Sequence, residues 1–207
     1  MFHVKHSTLT IPNVSRETEE RLHTYAALLT RWNPTINLVS KSDISDLWNR
    51  HILDSLQLLA LLPADFSHAI DLGSGGGLPA IVLAIASGRP FHLVESDARK
   101  SAFLREAARE TAAPVTIHCT RIETLSLPPA PVVTARALAP LPRLLGYAAP
   151  FLAPNGIFLF PKGRNAAIEL TEAAGEWHME AECFTSAIDP SATILKLSEV
   201  VRKNAGS

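Results

Sequence analysis

An α/β fold, a Rossmann-like sheet of seven mostly parallel strands flanked by helices with an N-terminal helical extension, is predicted by three observations. From residue 69 onward, short apolar strand-like runs alternate with segments of helical period. The first run, Ala69-Ile70-Asp71-Leu72, leads through a glycine-rich turn, Gly73-Ser74-Gly75-Gly76-Gly77-Leu78-Pro79, into an apolar helix. The next run, Phe91-His92-Leu93-Val94-Glu95, also ends in a carboxylate.

Each element has a local cause. Ser15 is placed to cap a first helix, and Glu17, Glu19 and Glu20 suit the positive end of its dipole. Leu22, Tyr25, Ala26, Leu29 and Trp32 share one helical face, and Asn33-Pro34 predicts the end. A second helix follows Ser42-Asp43, with Trp48, Ile52, Leu56 and Leu59 as its apolar stripe and Pro63 as its stop. These helices form the extension, 1–64, packed on a core of 65–207. In the core, Pro79 suits the first position of a helix running through Ile81, Val82, Ala84 and Ile85. The pattern then predicts strand 91–95, helix 98–110, and strands 115–118 and 132–135. A helix through Leu141, Leu144 and Leu145 follows, then strand 156–160, helix 166–175 and an antiparallel pair at 179–184 and 192–200.

Composition excludes several classes. The 207 residues make one ordinary domain with a small extension, and 47% hydrophobic against 19% charged describes a globular chain. No apolar run reaches membrane-spanning length unbroken, the first residues lack a signal-peptide core, and Cys119 and Cys183 fit no metal-ligand spacing. A cytoplasmic monomer without disulfide, metal or membrane contact is the expectation. The net charge of −1 excludes a global basic field of the kind that holds long naked duplex. Any nucleic-acid contact therefore rests on a local patch or a structured target. His3, Lys5 and His6 form a small basic tail.

The glycine turn narrows the ligand. A dinucleotide fingerprint needs G-x-G-x-x-G, whose third glycine falls at Leu78; the pattern here is D-x-G-x-G-x-G. A carboxylate at Asp71 suits a cationic group and would repel a pyrophosphate, which favours S-adenosylmethionine over NAD. Gly73 and Gly75 let the backbone approach the ligand, and Glu95 stands where a ribose diol is held. A turn of the same family on a NAD site is the competing reading, and a ligand-free turn with a solvated Glu95 is the bland one.

In such folds ligands sit beyond the carboxyl ends of the strands, so the residues just after each strand are the candidates. Arg136 can hold the cofactor carboxylate or a substrate phosphate; a surface arginine at a helix start fits less well, because it opposes the dipole. Ile122-Glu123 flanks the adenine position or is a plain loop. Lys162-Gly163-Arg164 can clamp a phosphate backbone or be a solvated basic turn. Arg50-His51, beside Trp48, offers charge and a stacking surface, although an ordinary amphipathic helix places these residues the same way. Arg136 and Lys162 are the positioning candidates, with no catalytic base in view. The clamp N/D-P-P-Y/F of amine methylation is missing, neither cysteine follows proline, and no metal cluster or Ser-His-Asp set stands out. An enzyme without a base suits an acceptor that is already a nucleophile, such as guanine N7.

At this point the chain resembles a known family, the bacterial small-subunit (16S) ribosomal RNA guanine-N7 methyltransferases, also called the glucose-inhibited division B family. The resemblance covers nearly the whole chain. It rests on Arg31-Trp32-Asn33, Asn37-Leu38-Val39-Ser40, Arg50-His51-Ile52-Leu53-Asp54-Ser55, the stretch Asp71 to Pro79, Arg136-Ala137 and Lys162-Gly163. It implies S-adenosylmethionine as cofactor, with Gly73 and Leu78 lining it, Ile122-Glu123 bordering the adenine and Arg136 beside the site. It implies a guanine N7 in small-subunit ribosomal RNA as acceptor, and it shifts Arg50-His51 and Lys162-Gly163 towards substrate or RNA contact. Ala80 departs from the glycine often found after Leu-Pro, and a methyl is tolerable inside a helix. A methyltransferase for a small molecule or protein, and a non-catalytic RNA-binding factor, are the rival readings.

Overall fold

The computed structural model describes residues 7–203, so the basic tail lies outside the described residues. Helix α1 (Arg16–Ile36) opens as its cap predicts, with Ser15 Oγ accepting from the Thr18 amide at 3.2 Å. Its end differs: the helix crosses Pro34 and stops at Ile36. Proline removes a single amide from the last turn. Asn33 makes good the exit, because its Oδ1 accepts from the Leu38 and Val39 amides at 2.7 and 2.8 Å. Asn37 then takes the left-handed conformation that closes a helix.

The predicted second helix is instead a string of short turns. A 3₁₀ turn (Lys41–Asp46) precedes a π turn (Trp48–Leu53), then α2 (Asp54–Leu56) and a second 3₁₀ turn (Gln57–Leu61). The Asp54 amide bonds the Asn49 carbonyl five residues back, the mark of a π turn, and such turns recur at functional sites. Trp48 does not offer a free stacking face: it lies flat on His23 of α1, with 4.1 Å between ring centroids.

Among the described residues the sheet holds the seven expected strands and a two-residue addition at its edge: β1 (Ser7–Thr8), β2 (Ala69–Leu72), β3 (Phe91–Glu95), β4 (Val115–Cys119), β5 (Ala130–Thr134), β6 (Leu152–Lys162), β7 (Trp177–Thr185) and β8 (Thr193–Arg202). Their order is β1-β7-β8-β6-β5-β2-β3-β4. The additional strand is β1, two residues laid parallel on β7, a length too short to leave a pattern in the sequence. The expected antiparallel pair is present, with β8 inserted between β6 and β7. All four residues of β2 are buried, as a central parallel strand requires. Successive strands run outward in opposite directions from β2 and β5, so a crevice opens beyond the carboxyl ends of these two.

Helices α1, α3 (Ala80–Ser87) and α4 (Ala98–Thr111) share a core with Leu93 and Val132 on one face. On the other, α5 (Leu141–Ala148) and α6 (Ala166–Glu176) pack with Ile70, Val133 and Phe158. Helix α3 begins at Ala80, one residue later than Pro79 suggests, after a cis Leu78–Pro79 bond. The glycine turn is locked against this core. Gly77 has φ +86°, and a Cβ there would lie 2.6 Å from Ile81 Cδ1 and 2.9 Å from Leu104 Cδ2. Both neighbours are fully buried and have nowhere to go. Gly77→Ala is therefore expected to cost about 2–4 kcal/mol, positive-φ strain plus overpacking. Urea unfolding measures it; an unchanged midpoint would show that the turn relaxes freely.

Candidate active site

Two cavities open side by side at the carboxyl ends of the strands and share the wall Ala137-Leu138-Ala139. The smaller, about 430 Å³, is lined by Gly73, Gly75, Glu95, Ile122 and Glu123 among others. The larger, about 790 Å³, is lined by Arg50, His51, Asp54, Arg136, Lys162 and Thr193 among others. Both volumes suit ligands of nucleoside size or more.

The smaller cavity is built around Glu95. Its Oε2 accepts from the Gly75 amide and its Oε1 from the Asp97 amide, each at 2.8 Å. Asp97 in turn caps α4 by accepting from the Arg99 and Lys100 amides. The carboxylate is thus fixed at both oxygens, and each keeps lone pairs for a diol. Gly75 has φ +55°, and a Cβ there would meet no atom nearer than Gly73 O at 3.8 Å, so its surface is open to a ligand. Ile122 and Glu123, at the 3₁₀ turn after β4, close the opposite side. These residues fit a nucleoside: a rigid acceptor for two hydroxyls, an open glycine surface, and a loop at the far end.

Two residues expected at the cofactor stand apart from this cavity's lining. Asp71 does not face the cavity. It is 1% exposed beneath the turn, with Oδ1 accepting from Thr134 Oγ1 at 2.6 Å across the β2–β5 pairing. Its Oδ2 has no hydrogen-bond partner, and burial pushes its pKa up to about 7 against the pull of Thr134, Ser74 and Arg136. Leu78 is likewise buried, packed in the α3 core instead of lining the ligand space. The register that turns Asp71 inward is invisible in a strand buried throughout.

Arg136 stands in the larger cavity rather than the smaller, at the junction behind Ala137. Among the described residues its one charge partner within 4 Å is Asp54, Nη1 to Oδ2 at 3.8 Å, and it makes no hydrogen bond. Burial lowers its pKa while Asp54 opposes the shift, and a guanidinium so placed stays charged. Its donors are left for a ligand. Asp54 itself is pushed up by burial and held down mainly by Arg136.

Arg50 and His51 both turn towards this cavity, with Arg50 exposed at the rim. Asp43 faces both, at 3.1 Å from Arg50 Nε and 3.4 Å from His51 Nε2. The imidazole is only 8% exposed, neither ring nitrogen has a hydrogen bond, and burial with the nearby Arg136 charge lowers its pKa to about 4. His51 is therefore neutral near pH 7. Lys162 differs from the expected phosphate clamp: its Nζ donates to Ala139 O and to Glu169 Oε2, each at 2.8 Å. Glu169 also accepts from the Leu141 amide, so the lysine braces the shared wall to α5 and α6. Arg164 is exposed and lines neither cavity.

Sequence reasoning missed Asp54 as a site residue, although it lies within the Arg50-to-Ser55 run. It also missed Gln57, Ser186 and Glu169: Gln57 and Ser186 meet across 129 residues, and Glu169 ties Lys162 to the Leu141 amide 28 residues before it. Among the described residues no group of His, Cys, Asp or Glu is arranged to hold a metal ion, and no helix is long and apolar enough to cross a membrane.

Sheet order, glycine turn and the fixed acid after β3 define a class I, S-adenosylmethionine-dependent methyltransferase. More narrowly, the chain belongs to the family GidB: rRNA small subunit methyltransferase G, whose model matches residues 18–191. It is 55% identical to the ribosomal RNA small subunit methyltransferase G of Granulibacter bethesdensis, over 98% of this chain and 100% of that one. The protein of the same name from Rhodospirillum centenum is 57% identical, over 90% and 87%. Among solved structures, magnesium protoporphyrin IX methyltransferase from Synechocystis with bound S-adenosylmethionine superposes with TM-score 0.61 at 13% identity, covering 91% of this chain and 99% of that one. The O-methyltransferase from Bacillus cereus gives 0.55 at 14%, over 91% and 93%. These two likenesses speak for the fold alone.

Proposed function

We propose that the chain methylates the N7 of a guanine in small-subunit ribosomal RNA, acting as a cytoplasmic monomer. The observation that carries this reading is the pair of neighbouring cavities on either side of the wall Ala137-Leu138-Ala139. One presents a fixed carboxylate and an open glycine surface suited to a nucleoside cofactor; the other is roomy, cationic and large enough for an extruded base. In this reading Glu95 holds the ribose hydroxyls, Gly73 and Gly75 admit the cofactor, and Ile122-Glu123 border its adenine. Asp71 supports the turn from below and Leu78 anchors its exit. Arg136, with Arg50 at the rim, holds the RNA; His51 forms part of the cavity wall.

S-adenosylmethionine, when bound, supplies a methyl carbon on a sulfonium, which the N7 lone pair accepts without loss of a proton. The protein then needs no general base, and a neutral His51 and a braced Lys162 are consistent with that. Its residues have to orient the base and exclude water, and well-oriented reactants gain about 7–11 kcal/mol of barrier in this way. The near-neutral net charge suits a folded ribosomal particle more than free RNA.

The test is transfer of labelled methyl from S-adenosylmethionine to small subunits lacking base methylation, with borohydride–aniline cleavage to locate N7-methylguanine. One cleavage in the small-subunit RNA is expected. Cofactor binding with no transfer to subunits or to deproteinised RNA would instead favour a small-molecule or protein acceptor. No cofactor affinity at all would favour a non-catalytic RNA-binding factor.

A further inference from the structure

In the larger cavity, Asp54 and Arg136 face one another without a hydrogen bond. Asp54 is not free to swing towards Arg136. Its Oδ1 accepts from Gln57 Nε2 at 2.8 Å and from Ser186 Oγ at 3.2 Å. Gln57 Nε2 also reaches Ser186 Oγ at 2.9 Å, and Gln57 Oε1 accepts from the Ala187 amide at 2.9 Å. Ser186 Oγ in turn accepts from the Ile188 and Asp189 amides. Gln57 and Ser186 are buried, so the carboxylate is fixed between α2's C-terminal turn and the β7–β8 connection. Oδ1 is saturated, and Oδ2 remains for the cavity as a pure acceptor with lone pairs open.

We infer that Asp54 selects guanine: its Oδ2 accepts from the adjacent N1–H and N2–H donors of a base lodged in the larger cavity, with Arg136 offering donors to the O6 side or the flanking phosphate. This deepens the proposed function and rests on it. Guanine alone places two donors side by side on its Watson–Crick edge. Adenine and cytosine place an acceptor beside their single exocyclic donor, and uracil sets an acceptor on each side of N3–H. Against those bases an ionised, acceptor-only carboxylate meets a lone pair, which repels. Recognition at that edge leaves N7, on the opposite side of the ring system, free to meet the smaller cavity. A partly buried charged acceptor whose donors are missing loses more than a solvated one, so discrimination is expected here. Asp54 is a specificity-determining residue in this account, and Gln57 and Ser186 position it.

The test is a cycle of one variant and one base change. Small subunits are reconstituted with guanine or inosine at the position the methyl assay identifies; inosine keeps N7, O6 and N1–H but lacks the N2 amine. Asp54→Asn and wild type are assayed on both, with cofactor affinity and thermal melting followed in parallel. Each change alone is expected to lower kcat/KM roughly 10–100-fold, the scale of a good base contact. Together they are expected to lose little more than either alone. Losses that multiply would reduce Asp54 to a support for Arg136 and overturn the inference. Wild type methylating inosine as fast as guanine would overturn it without any variant, should Asp54→Asn fold poorly. A wild type that leaves the guanine subunits unmethylated would instead fell the proposed function.

Discussion

Arg136→Ala is expected to lower methyl transfer by about 100-fold or more while the chain still folds, since charge-assisted hydrogen bonds are worth about 1.5–3 kcal/mol each and a guanidinium can offer two to one ligand group. The guanidinium lines the larger cavity next to the shared wall, and among the described residues it makes no hydrogen bond, with Asp54 facing it at 3.8 Å. It also moderates the carboxyl groups around it. Burial raises Asp71 to about 7 and raises Asp54, and in each case the Arg136 charge acts the other way. The sign for stability follows from the protons bound. Asp71 has a folded pKa above the ordinary carboxyl value of 3.8, so the native state keeps a proton that the unfolded chain releases. Stability therefore falls as pH rises from about 4 to about 7 and levels off above. Without Arg136 both carboxyls rise further, and the decline continues to higher pH. The variant's deficit in urea unfolding is thus expected to be larger at pH 8 than at pH 6. Undiminished transfer by a folded variant would remove Arg136 from the site. Equal deficits at the two pH values would mean that its charge does not act on these acids.

The parts of the fold legible in the sequence are those with a local cause. Ser15 announces α1, continuous apolar runs announce the buried parallel strands, and the glycine turn with Glu95 marks the cofactor side. Ile122 and Glu123 fall on the cavity wall because the position after a strand end is set by topology. The illegible parts depend on partners far away. Pro34 reads as a stop until Asn33 is seen capping the turn beyond it. Asp71 reads as an acid facing the cofactor, because a strand buried on both faces carries no alternation to show which way it points, and its partner Thr134 is 63 residues on. Lys162 reads as an open cation until Glu169 and Ala139 are seen accepting its hydrogen bonds. Asp54 is fixed by Gln57 three residues on and by Ser186, 132 residues later, and it is the distant contact that nothing in the neighbouring sequence announces. Such long-range polar pairs carry no periodicity, and they are the ones that shape the larger cavity.

Glu95→Ala should weaken S-adenosylmethionine binding about 100-fold or more, by calorimetry, with the sheet intact. The magnitude follows from the number of bonds removed. A carboxylate holding two hydroxyls makes two charge-assisted hydrogen bonds, each worth about 1.5–3 kcal/mol, and every 1.4 kcal/mol is tenfold in affinity. Truncation has a second effect, because Glu95 also accepts from the Gly75 and Asp97 amides. Without it the amide of Gly75 loses its partner at the cavity edge, and the turn loses its tie to β3 on that side. Glu95→Gln separates the two contributions. It keeps one oxygen for an amide while setting an NH₂ against the other, so it is expected to bind more weakly than wild type yet better than alanine. KM for the cofactor should rise in the same order, while kcat at saturating cofactor falls much less, because the groups that orient the base in the larger cavity are untouched. Wild-type affinity in Glu95→Ala would show that the fixed carboxylate belongs to the turn alone, and the cofactor would then have to be held chiefly by the glycine surface and the loop at Ile122-Glu123.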